Sequence, residues 1–152
     1  MEKMRLMWNR IQRFVTSRAI NQKQLTLASV FTDNMVLQRE IPVVIWGQAN
    51  PGASVQIAFA GQEQATTADN DGNWSLKLRP MDAITQGQTL TVKSGSQQLF
   101  FTNVVVGEVW LCSGQSNMGW TLVVSADATE HITNAVNSNI CFLSVPTTRF
   151  IV

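Results

Sequence analysis

Ser116 is the residue of this 152-residue chain whose neighbours best suit a nucleophile. The apolar sequence V-V-V-G-E-V-W-L-C at 104–112 precedes it, and the sequence S-G-Q-S-N-M at 113–118 contains it. The apolar run is typical of a strand covered on both faces, as in a parallel sheet. Gly114 permits a tight turn, and the apolar segment from Met118 onward predicts a helix. We therefore expect Ser116 at a strand-to-helix junction, where open α/β sheets bind ligands.

A serine in that position could act by covalent catalysis. The free N–H groups and the positive end of the helix dipole would stabilise the oxyanion that forms when a hydroxyl attacks a carbonyl. Gly114, Gln115 and Asn117 are candidates for positioning the oxyanion or the substrate. Hydrogen bonding within the turn is the alternative role of Gln115 and Asn117. Ser113 is a weaker candidate nucleophile because it lies on the strand side of Gly114.

The sequence does not predict a general base for this serine. A serine nucleophile needs a base, usually histidine, that a third group orients. His131 is the single histidine of the chain. Its spacing places it on the flank of the apolar face of a short helix, so we interpret it as a surface residue.

Metal and cofactor chemistry has little support in the sequence. Cys112 and Cys141 lack C-x-x-C spacing, and a disulfide between them is the alternative to two free thiols packed in apolar runs. The sequence D-N-D-G at 69–72 could begin a calcium loop, but Thr67 and Leu78 stand where an EF-hand has acidic ligands. We therefore predict a turn there, with no metal and no organic cofactor.

The composition favours a β-rich protein that handles neutral or sugar-like ligands. Apolar residues make up 45% of the chain and charged residues only 14%, against about 25% charged in typical globular proteins. The net charge of +1 argues against nucleic acid as a partner, because binding to phosphates needs clustered Lys and Arg. No transmembrane segment is predicted.

Residues 1–24 differ from the rest of the chain. Apolar residues recur there at helical spacing and arginines are interleaved with them. No apolar run reaches the 7–15 residues of a secretory signal, which leaves the location of the protein open. We interpret the segment as a poorly ordered leader, and the alternative is a helix that lies on a membrane surface.

Residues 25–103 carry a β pattern. Short alternating runs are separated by turn signals such as Pro51-Gly52 and Ala60-Gly61, which is typical of an antiparallel β-sandwich. Trp46 and Trp74 are predicted in its core, and a sugar-binding platform is their alternative role.

From residue 104 the pattern becomes β-α-β. Asp127 and Glu130 have the spacing of a capping box before a short helix, and residues 140–145 predict a second buried strand that ends at Pro146. A strand, a helical crossover and another strand indicate a parallel pair. Residues 104–152 are too few to close an α/β core, so we expect an incomplete domain.

These strings carry a resemblance to a known family. G-E-V-W-L-C-S-G-Q-S-N-M at 107–118 resembles the nucleophile block of the sialate O-acetylesterase family, which are carbohydrate esterases of the SGNH-hydrolase type. V-F-T-D-N-M-V-L-Q-R at 30–39, V-I-W-G at 44–47, A-N-P-G at 49–52 and D-G-N-W at 71–74 resemble its amino-terminal β region. Gly119 and Thr121 depart from the family, which commonly has an acidic residue and a proline there.

The resemblance implies a fold and an activity. The fold would be an antiparallel β-sandwich followed by the first β-α-β unit of an SGNH-type α/β hydrolase domain. The activity would be hydrolysis of O-acetyl esters of sialic acid or related carbohydrates, with Ser116 forming an acetyl-enzyme and with no cofactor. The family has its Asp and His much later, so the chain would be a front portion that is inactive alone. The family is generally exported. The alternative is a non-catalytic carbohydrate-binding or interaction module.

Overall fold

The structure, a computed structural model, describes residues 24–137 and 139–144. The predicted leader at 1–24 lies outside the described residues apart from its last position, and so does Val145 in the predicted second strand. The elements in chain order are β1 (Thr26–Leu27), β2 (Val36–Gln38), β3 (Val43–Gln48), β4 (Ser54–Phe59), β5 (Gln62–Thr67), β6 (Asn73–Leu78), β7 (Ile84–Ser94), β8 (Gln97–Gly107), the 3₁₀ helices Ser116–Gly119 and Leu122–Val124, and α1 (Ala128–Asn134).

The strands form two sheets. The first has three strands in the order β1-β3-β6 and is antiparallel throughout. The second has five strands in the order β2-β8-β7-β4-β5. It is antiparallel except at one edge, where β2 runs parallel to β8 with Val36 opposite Val105 and Gln38 opposite Gly107. The described part of the chain is therefore mostly β, as the alternating pattern predicts.

One hydrophobic core lies between the inner faces of the two sheets. Every second residue of β4 and of β6 is buried, as expected for strands with one covered face. Ile45, Leu78 and Leu90 have no exposed surface. Burial of one such side chain stabilises the fold by roughly 1.5–3 kcal/mol. The buried members of the core are Leu25, Phe31, Met35, Leu37, Ile45, Ala49, Val55, Ile57, Phe59, Ala68, Trp74, Leu76, Leu78, Met81, Leu90, Val92, Val104 and Val106.

Two turns fix the register of neighbouring strands. Ala60 and Gly61 join β4 to β5 with φ of 49° and 70°, which is the left-handed pair of a type I′ hairpin turn. At 69–72 the predicted turn is confirmed, since the Asp69 carboxylate accepts the N–H of Asp71 at 2.9 Å and that of Asn73 at 2.8 Å. A single carboxylate thus holds the loop that leads into β6.

The two tryptophans predicted in the core lie on opposite faces of the three-stranded sheet. Trp74 is buried, with 4% of its surface exposed, and its placement in the core is confirmed. The same prediction is wrong for Trp46, which is 44% exposed. Ile45 faces the core from β3, so its neighbour Trp46 has to face outward.

The predicted buried strand at 104–112 is wrong in its second half. β8 continues through position 104 but ends at Gly107. Val109, Trp110 and Leu111 have no regular structure, and they are 54%, 83% and 92% exposed. A strand buried on both faces needs neighbours that pair with it and cover it. The described residues supply neither for this apolar run.

The β-α-β unit is likewise not formed within the described residues. Residues 140–144 have no strand, and Phe142 is 95% exposed. Cys112 and Cys141 are free thiols but are exposed rather than packed in apolar strands. Helix α1 begins directly after Asp127, as the spacing predicts. Asp127 has a left-handed backbone and makes no side-chain cap, so the predicted capping box is absent at this described position.

Candidate active site

A polar cluster marks the point where the serine-bearing segment leaves the sheet. Arg39 follows β2 and Glu108 follows β8, and their side chains meet with Arg39 Nε 2.6 Å from Glu108 Oε1. Gln38 donates to the other oxygen of Glu108 at 3.2 Å and accepts the N–H of Val109 at 2.8 Å. The hydrogen bond from Gln38 and the pairing with Arg39 lower the pKa of Glu108. The chain is therefore tied to the sheet edge up to Val109.

The motif strings contain these residues, but sequence reasoning did not connect them. Gln38 and Arg39 lie about 70 positions before Glu108, so no local pattern predicts their contact. Only the parallel pairing of β2 with β8 places the ends of both strands at the same edge. The sequence pattern predicts no strand at 36–38 and places Glu108 inside the strand predicted at 104–112, so it carries no local signal for this contact.

Ser116 is the first residue of the 3₁₀ helix Ser116–Gly119, and it is exposed. The turn is closed by the N–H of Met118, which donates to the carbonyl of Gln115 at 3.0 Å. The helix that the sequence predicts from Met118 is replaced by two 3₁₀ helices of four and three residues. A single turn has a far smaller dipole than a long helix, so the electrostatic stabilisation predicted at Ser116 is weaker in this arrangement.

The other predicted site residues lie around the same turn. Gly114 precedes it, and a Cβ added there would come 2.7 Å from Cγ of Met118. Gln115 is the residue before the helix and makes no side-chain cap. The backbone of Asn117 is within the 3₁₀ helix, while its side chain lies outside the described part of the structure. The rival nucleophile Ser113 is exposed and has no regular structure.

The described residues contain no completed catalytic triad. His131 lies on the exposed surface of α1 and in its last turn. Among the described elements, α1 packs mainly against the second 3₁₀ helix, Leu122–Val124. No group of three or more His, Cys, Asp and Glu side chains among the described residues could hold a metal ion. By itself, the arrangement presents a serine hydroxyl to solvent without activation.

Comparison with known proteins identifies relatives that match most of this chain. No protein-family model matches the chain. Human sialate O-acetylesterase is 35% identical over an alignment of 135 residues that covers 78% of this chain. The mouse sialate O-acetylesterase is 34% identical over an alignment of 119 residues that covers 70% of this chain. This chain is related to the sialate O-acetylesterases. The family resemblance predicted from the motif strings is thereby confirmed.

A solved structure supports the same relationship. A carbohydrate acetylesterase from Xanthomonas citri is 34% identical, superposes with a TM-score of 0.66 and covers 74% of this chain. The match takes up only 26% of that enzyme, and the chain spans about a quarter of the human relative, 25% of its length.

Within the described residues, no helix has the length and apolar character needed to cross a membrane.

Proposed function

We propose that this chain carries the nucleophile of a serine esterase that removes O-acetyl groups from sialic acid or related carbohydrates. The observation that carries the proposal is the 35% identity with human sialate O-acetylesterase over 78% of the chain. The carbohydrate acetylesterase from Xanthomonas citri, at 34% identity, supports the same reaction class. Both names describe hydrolysis of an acetyl ester of a sugar, which is the chemistry that a serine in S-G-Q-S-N-M can perform.

In the proposed reaction, Oγ of Ser116 attacks the carbonyl carbon of the acetyl group. The hydroxyl proton passes to a general base, and the carbonyl oxygen becomes an oxyanion that accepts the N–H of Ser116. The bond to the sugar oxygen then breaks, and that oxygen takes the proton from the base. Water, activated by the same base, hydrolyses the acetyl-enzyme to acetate and free Ser116. Gly114, Gln115 and Asn117 position the turn or the substrate.

The general base and the acid that orients it would correspond to residues of the related enzymes that lie outside the part matched by this chain. His131 is exposed in the last turn of α1, and among the described residues no hydrogen bond joins it to Ser116, so it is unsuited to taking the proton of that serine. The chain matches about a quarter of each relative, with 25% of the human protein covered. About three quarters of each related enzyme therefore has no counterpart in the match. We infer that the 152 residues are inactive alone.

The same reasoning applies to the fold of the serine-bearing segment. We propose that the segment from Glu108 onward becomes the first β-α-β unit of an SGNH-type α/β domain when the remaining part of such a domain is present to pack against it. Trp110, Leu111 and Phe142 are each more than 80% exposed. A packed α/β domain would cover these side chains and supply strands to pair with residues 109–112. The boundary of the β region would then follow Gly107, where β8 ends.

A chimera tests the assignment of the nucleophile. Residues 24–144 would replace the matching part of the Xanthomonas citri acetylesterase, which supplies the remaining three quarters of a related enzyme. We expect the chimera to release acetate from an acetylated sugar. The change Ser116→Ala should lower kcat by about 10⁴-fold or more, because a serine esterase without its nucleophile retains only background catalysis.

Ser113→Ala is the matched control, since it removes a hydroxyl from the same loop. We expect it to leave most of the activity, and both variants should melt at the same temperature as the chimera. Retained activity in Ser116→Ala would contradict the assignment. The unfused chain provides a second comparison, because it should hydrolyse 4-nitrophenyl acetate no faster than its own Ser116→Ala variant.

A further inference from the structure

An open depression lies on the outer face of the three-stranded sheet, away from the hydrophobic core. Its volume is about 690 Å³, which is within the range of small-molecule sites in proteins. Trp46 and Gln48 of β3 line it together with Asn73 and Ser75 of β6 and Thr26 of β1. The register places these side chains in two rows, since Thr26, Gln48 and Asn73 are paired across the sheet and Trp46 is paired with Ser75.

The aromatic member of the depression is held in one orientation. The ring of Trp46 meets that of Phe31 edge to face, with centroids 4.8 Å apart and planes at 76°. Phe31 is itself buried, with 8% exposed, so it gives the indole a fixed support. The Trp46 backbone is held as well, because its carbonyl accepts the N–H of Ala28 at 3.1 Å. A rigid indole that remains 44% exposed offers a flat apolar surface to a ligand.

The polar members of the depression are also fixed before any ligand arrives. Gln48 Nε2 donates to Asn73 Oδ1 at 3.3 Å, which joins the amides of neighbouring strands. The Asn73 amide lies 3.5 Å from Asp69 Oδ2, and the Asn73 N–H donates to Asp69 Oδ1 at 2.8 Å. Gln48 is two residues beyond Trp46 on the same strand face, a spacing of about 7 Å. The amides thus present donors and acceptors beside the indole.

The charge of the depression favours a neutral ligand. Among the described residues that line it, Asp69 is the one that carries a charge. Hydrogen bonds from Asn73 and its neighbours in the turn lower the pKa of Asp69, so the carboxylate is ionised. Lys77 lies on the same outer face, two residues after Ser75 on β6 and opposite Val44 of β3. It does not line the depression. An anionic ligand would meet a negative charge there with no cation among the lining residues.

We propose that this depression binds an uncharged pyranose ring of a glycan. The C–H face of a pyranose is apolar and can stack on the indole of Trp46, while its hydroxyl groups can exchange hydrogen bonds with the amides of Gln48 and Asn73. The lining contains both components on one rigid face. This site lies on the β region, and it does not depend on the esterase activity proposed for Ser116. It would hold a neutral sugar of the glycan rather than the acylated group that is hydrolysed.

Titration of the ¹⁵N-labelled full chain with lactose tests the proposal, with the indole N–H signal of Trp46 as the readout. We expect a saturable shift with a Kd of about 1–10 mM, which is the affinity of a small, exposed site. N-acetylneuraminic acid, which carries a carboxylate, should bind at least several-fold more weakly. The experiment contains no hydrolysis step, so its failure and the failure of the esterase proposal are distinguishable.

Three variants make the test specific to this face. Trp46→Ala removes the indole signal itself, so its titration is followed by the side-chain amide signal of Asn73, and we expect the binding of lactose to be abolished. Gln48→Ala, followed by the Trp46 indole, should weaken the binding about 2- to 10-fold through loss of one hydrogen-bonding group. The side chain of Gln48 is exposed and is bonded only through its amide among the described contacts, whereas its backbone pairing with β1 and β6 does not need the side chain. Gln48→Ala therefore keeps the fold even if Trp46→Ala does not. Phe100→Ala removes an exposed aromatic from β8 of the other sheet and should leave binding unchanged.

Three results would overturn the proposal. The first is the absence of any saturable shift at the Trp46 indole with lactose at 10-fold the expected Kd in a folded chain. The second is tighter binding of N-acetylneuraminic acid than of lactose, which would show that charge selects the ligand. Binding of lactose that persists in Gln48→Ala and is lost in Phe100→Ala would likewise place the site on the other sheet.

Discussion

Two leucine substitutions can measure how the stability of this chain is distributed. Leu78 lies at the end of β6 with no exposed surface, whereas Leu111 is 92% exposed between β8 and the serine turn. Leu→Ala removes the same atoms at both positions. We expect Leu78→Ala to destabilise the protein strongly and Leu111→Ala to leave the free energy of unfolding unchanged. The difference would show that the core between the two sheets supplies nearly all of the stability.

The magnitude follows from burial. Truncation of a fully buried leucine costs about 2.7–5 kcal/mol, because apolar contact is lost and a cavity remains. A β region of this size is expected to have a free energy of unfolding of about 4–13 kcal/mol, at 0.05–0.15 kcal/mol per residue. Leu78→Ala therefore removes a large fraction of it. Substitutions at exposed positions change the free energy of unfolding by less than about 0.5 kcal/mol.

Urea denaturation followed by far-UV circular dichroism is the appropriate assay. With an m-value of about 1–1.5 kcal/mol/M, a loss of about 3 kcal/mol lowers the midpoint by about 2–3 M. Leu111→Ala should have the same midpoint and m-value as the parent chain. A fall in midpoint of more than about 1 M in Leu111→Ala would refute the reasoning, since it would mean that the segment after β8 is packed in the folded chain.

Two further predictions concern single side chains of the β region. The backbone N–H of Thr102 donates to Asp33 at 2.6 Å and its hydroxyl at 3.0 Å, which lowers the pKa of Asp33 below its ordinary value of 3.8. This stabilisation is present above the ordinary pKa and is lost as pH falls through the folded pKa. Asp33→Asn should therefore show a smaller fall in Tm below about pH 4 than the parent chain. Identical profiles of Tm against pH in acid would argue against this prediction. Ala60 has a left-handed backbone at the first central position of its turn, and Ala60→Asn gives the sequence Asn-Gly that such turns favour. The substitution should raise the free energy of unfolding by about 0.5–1 kcal/mol in a urea titration. An unchanged urea midpoint would contradict this prediction.

Local patterns in the sequence were sufficient for most of the β region. The strand in which Trp74, Leu76 and Leu78 alternate with polar residues is predicted by its period alone, and its burial follows. The turn at 69–72 is predicted by residue types with a known hydrogen-bonding habit, and Asp69 makes those bonds. The turn depends on hydrogen bonds between residues close in sequence. The strand depends only on one of its faces being covered by the core.

The failures have a common physical cause, which is dependence on partners that are distant in sequence. The apolar run at 109–112 has the composition of a buried strand, but composition cannot supply the neighbours that a parallel strand requires. Trp46 has the residue type of a core position, but the face that it occupies is set by the register of β3 against β1 and β6. The pairing of β2 with β8 also had no local signal.

The position of the serine relative to the β region rests on one junction. β2 and β8 end side by side, and Arg39, Gln38 and Glu108 hold the chain at that edge through Val109. Beyond Val109, the described residues show no hydrogen bond from the segment 110–124 back to the sheets. Catalysis by a serine requires its hydroxyl to be held within a fraction of an ångström of the reacting carbon. The β region can therefore fix where the segment begins, while residues that cover Trp110 and Leu111 must fix where Ser116 points. Substitutions in the core of the sheets should consequently act on stability, and substitutions from Val109 to Met118 should act on kcat once the segment is covered.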